Sequence, residues 1–196
     1  MDGKVILDLC GGTGSWSRPY AEAGYDVRVV TMPEQDARLW NGYLDLRVHG
    51  ILAAPPCTMF CRMRMCRGRP TDQQFIEALS VVDACLRIIT MTRPNWWALE
   101  NPQGYLKTWL GAPQMKFDPC DFGDPWTKRT WLWGNFTPPW YNATNPTGAL
   151  VKMHATVNSK HWHEGRRPKQ TNLARNPVEA AMTPPGFARA FFEANP

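Results

Sequence analysis

The sequence contains no run approaching the roughly eighteen consecutive apolar residues that a membrane-spanning helix needs, so no membrane association is expected. It also lacks any Cys-x-x-Cys pair and any Cys/His arrangement with zinc-finger spacing. Cys57, Cys61 and Cys66, and His161 with His163, are the only metal-like spacings, and no metal site is expected. The 6 cysteines do not read as a disulfide framework. A chain of 196 residues can build a core without covalent staples, and Met1 to Lys4 leads straight into a strand-like run with no signal-like leader. Reduced thiols and a cytoplasmic location are the resulting expectations. Internal repeats and low-complexity tracts are lacking as well, which excludes solenoid and linker-type organisations.

Present instead are 10 Trp and 18 Pro, with 22 Lys+Arg against 17 Asp+Glu, a net charge of +5. An excess of that size is compatible with solubility alone. Its distribution says more. Arg62, Arg64, Arg67 and Arg69 crowd one short segment. Lys152, Lys160, Arg166, Arg167, Lys169 and Arg175 share another with a single acid, Glu164. Both are available to phosphates.

Lys4 to Leu9 reads as a buried strand that runs into Cys10-Gly11-Gly12-Thr13-Gly14. A helix is expected over Ser15 to Ala23, stopped by Gly24, and a second strand over Tyr25 to Thr31. That order opens a parallel α/β sheet. Gly50 to Ala54 reads as a buried strand ended by Pro55 and Pro56. Thr71 begins a capping box, and Phe75, Leu79, Val82, Leu86 and Ile89 recur at helical spacing. After Pro94, Trp96 to Leu99 is a short strand that runs into Glu100, Asn101 and Pro102. Thr130 to Trp133 and the run near Lys116 are weaker strand candidates. Beyond Phe136 the text becomes rich in Pro and Asn and reads as loop until Pro185 to Ala194, which is again helical.

Gly11, Gly12 and Gly14 sit between strand and helix, where backbone amides can approach a ligand without a Cβ in the way. No Lys-Ser or Lys-Thr follows, so this is not a phosphate-binding P-loop, and the full GxGxxG fingerprint is absent. Three such glycines fit either a tight turn or a nucleoside cofactor site. Ala54-Pro55-Pro56-Cys57-Thr58 holds a thiol behind a rigid diproline at the carboxyl end of a strand, the edge where doubly wound sheets bind ligands. Glu100 comes to the end of the next strand. A nucleophile, an acid/base and a cofactor loop are thus expected at one edge.

Taken in order, these motifs resemble the cytosine carbon-5 DNA methyltransferase family in a reduced, bacteriophage-type form. Asp8-Leu9-Cys10-Gly11-Gly12-Thr13-Gly14-Ser15-Trp16-Ser17 resembles its first motif, Ala54 to Thr58 its Pro-Cys motif, and Trp97 to Pro102 its Glu-Asn motif. Asp121-Phe122-Gly123-Asp124-Pro125, followed by Lys128 and Arg129, is similar to its Phe-Gly-x-Pro run. The resemblance spans roughly residues 4 to 136. It implies a Rossmann-like α/β methyltransferase fold with a mostly parallel sheet and helices on both faces.

The resemblance also implies S-adenosylmethionine as cofactor, held by Asp8, Leu9, Cys10, Gly11, Gly12, Gly14, Thr31, Asp45 and Pro55, and DNA as partner. Cys57 is then the nucleophile, Glu100 the group on the base, and Arg129, with Lys128, a further aid in fixing it. Arg62, Arg64, Arg67, Arg69, Lys128, Arg166 and Arg167 are the expected nucleic-acid contacts. The same chemistry on RNA or free deoxycytidine nucleotide stays open, as does a catalytically silent nucleic-acid-binding relative. A monomer is expected.

Three departures stand out. Cys10 replaces the family's adenine-stacking aromatic. Thr31 stands where a ribose-binding acid is usual, with Glu34 and Asp36 slightly later. Only about sixty residues follow Phe136, too few for the usual target-recognition domain. The expected organisation is a catalytic core over 1–136, a loop-rich basic segment over 137–182 serving as a minimal DNA-contacting insert, and a C-terminal helix over 183–196 completing the core.

Overall fold

The computed structural model describes residues 3–42, 44, 46–61, 68–124, 127–144, 150–154 and 181–196, with backbone only for 141–144 and 150–154. Of the residues singled out above, Asp45, Arg62, Arg64, Cys66, Arg67, Pro125, Lys160, His161, His163, Glu164, Arg166, Arg167, Lys169 and Arg175 lie outside the described residues.

The core is a six-stranded sheet with helices on both faces. β1 (Val5–Leu9) leads through the glycine loop to α1 (Arg18–Glu22) and β2 (Asp26–Val30). β3 (Val48–Ala53), α2 (Asp72–Thr92) and β4 (Trp96–Pro102) follow. Then come α3 (Leu106–Leu110), β5 (Met115–Phe117), a 3-10 turn (Pro119–Phe122) and β6 (Thr130–Asn135). A separate antiparallel hairpin, β7 (Trp140–Thr144) and β8 (Leu150–His154), precedes α4 (Pro185–Ala194). The strand order is β2-β1-β3-β4-β6-β5, parallel from β2 to β4 and antiparallel at β6 and β5.

Register positions the functional edge. Leu9 pairs with Ala53, and Ala53 with Leu99, so β1 and β3 release their chains side by side while β4 carries Glu100 and Asn101 past the same line. The strand order reverses at β1 and β3, the topological switch point at which open α/β sheets bind ligands.

Five consecutive buried residues in β1 reflect cover on both faces. Leu7, Leu9, Ile51, Ala53 and Leu99 pack under α2 with Val82, Cys85 and Ile88. On the other face Ile6, Leu52 and Ala98 meet an aromatic layer of Trp16 and Tyr20 from α1 and its flank, Trp96 at the start of β4, and Phe187 and Phe191 from α4. α2 starts where its capping box predicts. Thr71 Oγ1 accepts from Gln74 N–H at 3.2 Å and Gln74 Oε1 from Thr71 N–H at 3.1 Å, a device worth about 1 kcal/mol. The helix stops at Arg93, which adopts left-handed backbone angles before Pro94. Among the described residues no helix is long and apolar enough to cross a membrane.

Two expectations need correction. The first helix is shorter than Ser15 to Ala23, because Ser17 is drawn inward: its hydroxyl donates to Asp8 Oδ2 at 2.6 Å and also reaches Gly14 C=O at 3.3 Å. The stretch after Phe136 is not loop throughout, since β7 and β8 pair there. Trp131 and Trp133 are buried in β6 and are core residues.

Candidate active site

The first wall of the site is the glycine loop. Cys10 leaves β1 with φ of 59°, a left-handed value that a non-glycine residue adopts only when its surroundings hold it. Its N–H donates to Val30 C=O at 2.7 Å, and its thiol turns toward the α2 layer to meet that of Cys85. Cys10 therefore sits among core residues. Gly11 has no room for a side chain, since a Cβ there would lie 2.3 Å from Asp8 Cγ. The backbone at Gly12 is open, with nothing within 4 Å of where its Cβ would stand. Its N–H donates to Thr31 Oγ1 at 3.2 Å, so Thr31 ties the loop to the end of β2.

Beneath the loop lies Asp8, fully buried, with Ser17 on one oxygen and no partner for Oδ1 among the described residues. Burial pushes its carboxyl up to about 6, against the downward pull of the Ser17 hydrogen bonds. Asp36, further along, is held by Arg38, whose guanidinium also reaches Glu77 of α2. The Arg38 hydrogen bonds keep the Asp36 carboxyl below the usual range.

The second wall carries the thiol. Ala54 N–H donates to Leu9 C=O at 2.9 Å, binding the diproline turn to the glycine loop. Pro55 is buried, and its C=O accepts from Asn101 Nδ2 at 2.9 Å. Asn101 is itself fully buried beside Glu100 and so couples the end of β4 to the turn bearing Cys57. After Cys57 the chain makes one helical turn, with Phe60 and Cys61 N–H both donating to Cys57 C=O at 2.9 Å. That turn docks on the segment after β4: Tyr105 N–H donates to Phe60 C=O at 2.8 Å, and a Cβ on Gly104 would lie 2.0 Å from the same oxygen. Only glycine permits this approach.

Glu100, Lys128, Thr130 and Thr183 line a small depression with Phe117, Pro184 and Phe187. Burial raises the Glu100 carboxyl and Lys128 opposes the rise. Cys57 is half-buried; burial raises its thiol, the Glu100 charge raises it further, and Lys128 pulls it down. The three groups thus feel one another across the site. Arg129 Nε donates at 2.9 Å to Asp118, a nearly buried carboxylate before the 3-10 turn. Arg69 is exposed. The C-terminal segment closes the far side, with Thr183 N–H donating to Ser15 Oγ at 3.0 Å beside the glycine loop.

The structure therefore brings together Asp8, Gly11, Gly12, Gly14 and Thr31 on one wall and Pro55, Cys57, Glu100 and Lys128 on the other. Ser17 and the bracing role of Asn101 were not anticipated. Ser17 lies within the glycine-loop text, and Asn101 stands next to Glu100, but neither partner was visible in the sequence. Nothing in the sequence joins Asp118 to Arg129. Among the described residues no cluster of His, Cys, Asp or Glu is suited to a metal ion.

No protein-family model and no curated protein matches the chain. Solved structures do. The Entamoeba histolytica methyltransferase EhMeth superposes with a TM-score of 0.50 at 11% identity, over 81% of this chain and 58% of that one. An E. coli protein described as a DNA modification methyltransferase encoded within a prophage aligns with a TM-score of 0.49 at 18% identity, over 67% of this chain and 46% of that one. The chain spans about half the length of these structures. At such identities the likeness concerns the fold alone, an α/β arrangement shared with EhMeth.

Proposed function

We propose that this chain is an S-adenosylmethionine-dependent cytosine carbon-5 methyltransferase acting on DNA. The observation that carries the proposal is the meeting of Cys57, Glu100 and Lys128 at the carboxyl edge of β3 and β4, next to the open glycine loop of β1. The fold of the solved relatives and the motif order agree with it.

The loop suits the cofactor, since Gly12 offers an unobstructed backbone and Thr31 and Pro55 flank it. S-adenosylmethionine, when bound, supplies an electrophilic methyl group. The chain's own residues prepare the acceptor. Carbon 5 of cytosine is a weak nucleophile, so the Cys57 thiolate adds to carbon 6 and the electron pair of the 5,6 double bond moves into the ring. Glu100, its carboxyl raised by burial, is poised to hold a proton at ring nitrogen 3 and to accept from the exocyclic amine, stabilising charge where it develops. A proton on Glu100 also removes the negative charge that holds the Cys57 thiol up, so binding the base and activating the nucleophile reinforce each other. Once carbon 5 carries the methyl group, its proton passes to water, the 5,6 double bond re-forms and the bond from carbon 6 to Cys57 breaks, releasing the thiolate. Asn101 and Arg129 act behind the reacting groups, as braces for the Cys57 turn and for the segment leading into β6. In a duplex the target base would have to leave the stack.

Transfer of labelled methyl to DNA, RNA and dCMP in parallel tests the reading. Label in DNA, lost in Cys57→Ala, is the expected result. Transfer to RNA or dCMP alone would replace the substrate. No transfer to any, with DNA binding intact in Cys57→Ala, would make the chain a binding module. We further propose low sequence selectivity, and bisulfite sequencing that finds methylation confined to one site of about four base pairs or more would contradict it.

A further inference from the structure

β2 is the outer strand of the sheet, and among the described residues nothing pairs with its free side. Asp26 N–H donates to Lys4 C=O at 3.1 Å and Val30 C=O accepts from Cys10 N–H at 2.7 Å, so the even-numbered residues turn their backbone groups to β1. By the period of two, Val27 and Val29 turn theirs outward. Natural edges are usually blunted by charged side chains, short length, proline or a covering element, but charges of both signs on one edge can instead pair across a two-fold. This one carries Val27 and an exposed Val29 on one face, and on the other a single ion pair, Arg28 to Asp26 at 2.9 Å, with both side chains close to half exposed.

That charge pattern is self-complementary in only one way. An antiparallel two-fold pairing must oppose outward-facing residues, so it can centre on any residue of the strand while keeping hydrogen-bond parity. Centring on Arg28 sets two guanidiniums face to face, and centring on Asp26 does the same with two carboxylates. A shift to Val29 leaves Arg28 facing Val30. Centring on Val27 places Asp26 opposite Arg28 of the second copy, and Arg28 opposite its Asp26. These are non-hydrogen-bonded positions, where opposing side chains lie nearest. In that register Val27 exchanges both backbone hydrogen bonds with its counterpart, Val29 N–H reaches Tyr25 C=O of the other copy, and Val29 packs by Tyr25.

We propose that two copies of this chain associate through β2, in antiparallel register centred on Val27, forming one continuous sheet. The antiparallel arrangement points the two carboxyl edges in opposite directions and leaves both candidate sites open. The inference goes beyond methyl transfer and does not depend on it, because it is read from molecular mass.

Sedimentation equilibrium on the full chain up to about 0.1 mM, the range suited to a small interface, should show a reversible dimer. Asp26→Arg and Arg28→Asp, each of which opposes like charges across the two-fold, should each weaken association about tenfold, whereas Asp26→Arg with Arg28→Asp should restore it. Far-UV circular dichroism confirms that each variant is folded, and the double variant carries the test if a single one is not. A chain that stays monomeric throughout would overturn the proposal. So would single variants that dimerise like the parent, or a double variant that fails to recover.

Discussion

Replacing Asn101 by alanine probes the joint between the two halves of the site. The residue is fully buried, and its Nδ2 donates to Pro55 C=O at 2.9 Å. Truncation leaves that carbonyl without its partner in a buried turn, a cost of about 1–3 kcal/mol. It also removes the Asn101 Oδ1, which has no partner among the described residues and is itself a burden of similar kind. The net loss should therefore lie at the lower end, about 1–2 kcal/mol, or about 2–8 °C in Tm for a chain of this size. The effect on chemistry should be larger. The hydrogen bond fixes the turn bearing Cys57 relative to the strand bearing Glu100, and a misplacement on the order of 1 Å between reacting groups costs about a hundredfold in rate. Urea titration followed by methyl transfer under folding conditions separates the two effects, and peptide mapping should show faster iodoacetamide labelling of Cys57 in the variant. An Asn101→Ala protein as stable as the parent within about 0.5 kcal/mol, with unaltered transfer, would refute the role given to this contact.

Two further predictions concern charge. Glu100→Gln removes the negative group that raises the Cys57 thiol, so Cys57 should alkylate faster at pH 8 while methyl transfer falls; slower alkylation would reverse the assigned coupling. For Asp8, the folded carboxyl titrates near 6 against 3.8 for the free group, so the folded chain holds the proton longer than the unfolded one. Its contribution to stability is greatest below about pH 4 and declines as pH rises through about 6, by about 3 kcal/mol in all. Asp8→Asn should accordingly be more stable than the parent above pH 6 and lose that advantage toward pH 4, as read from denaturant midpoints across the range. A constant difference would contradict the burial argument.

The parts of the fold that could be read from the sequence are those set by local patterning. The glycine turn after β1, the capping box and apolar stripe of α2, the diproline after β3 and the helix Pro185–Ala194 all stand where their residues place them. What could not be read depends on partners distant in the chain. β4 extends through Asn101 because β6 pairs with it down to Thr130. Asp8 is fully buried with the Ser17 hydroxyl on its carboxylate, a contact that forms only when the turn into α1 folds back on β1. The pairing of Arg129 Nε with Asp118, on the far side of the 3-10 turn, joins residues that no local pattern connects. Thr31, expected beside the cofactor in place of the usual ribose-binding acid, also holds the glycine loop. The β7–β8 hairpin is masked in sequence by Pro and Asn, whose turn signals outweigh its short strands.

The central claim is that Cys57 attacks the base. Incubating the protein and S-adenosylmethionine with an oligonucleotide containing 5-fluorocytosine, which cannot lose its carbon-5 substituent as a proton, tests that claim at the bond itself. The account predicts a denaturation-resistant adduct that requires the cofactor, maps to the peptide containing Cys57 and vanishes in Cys57→Ser. Turnover on ordinary cytosine with no such adduct, or an adduct on another cysteine, would contradict it.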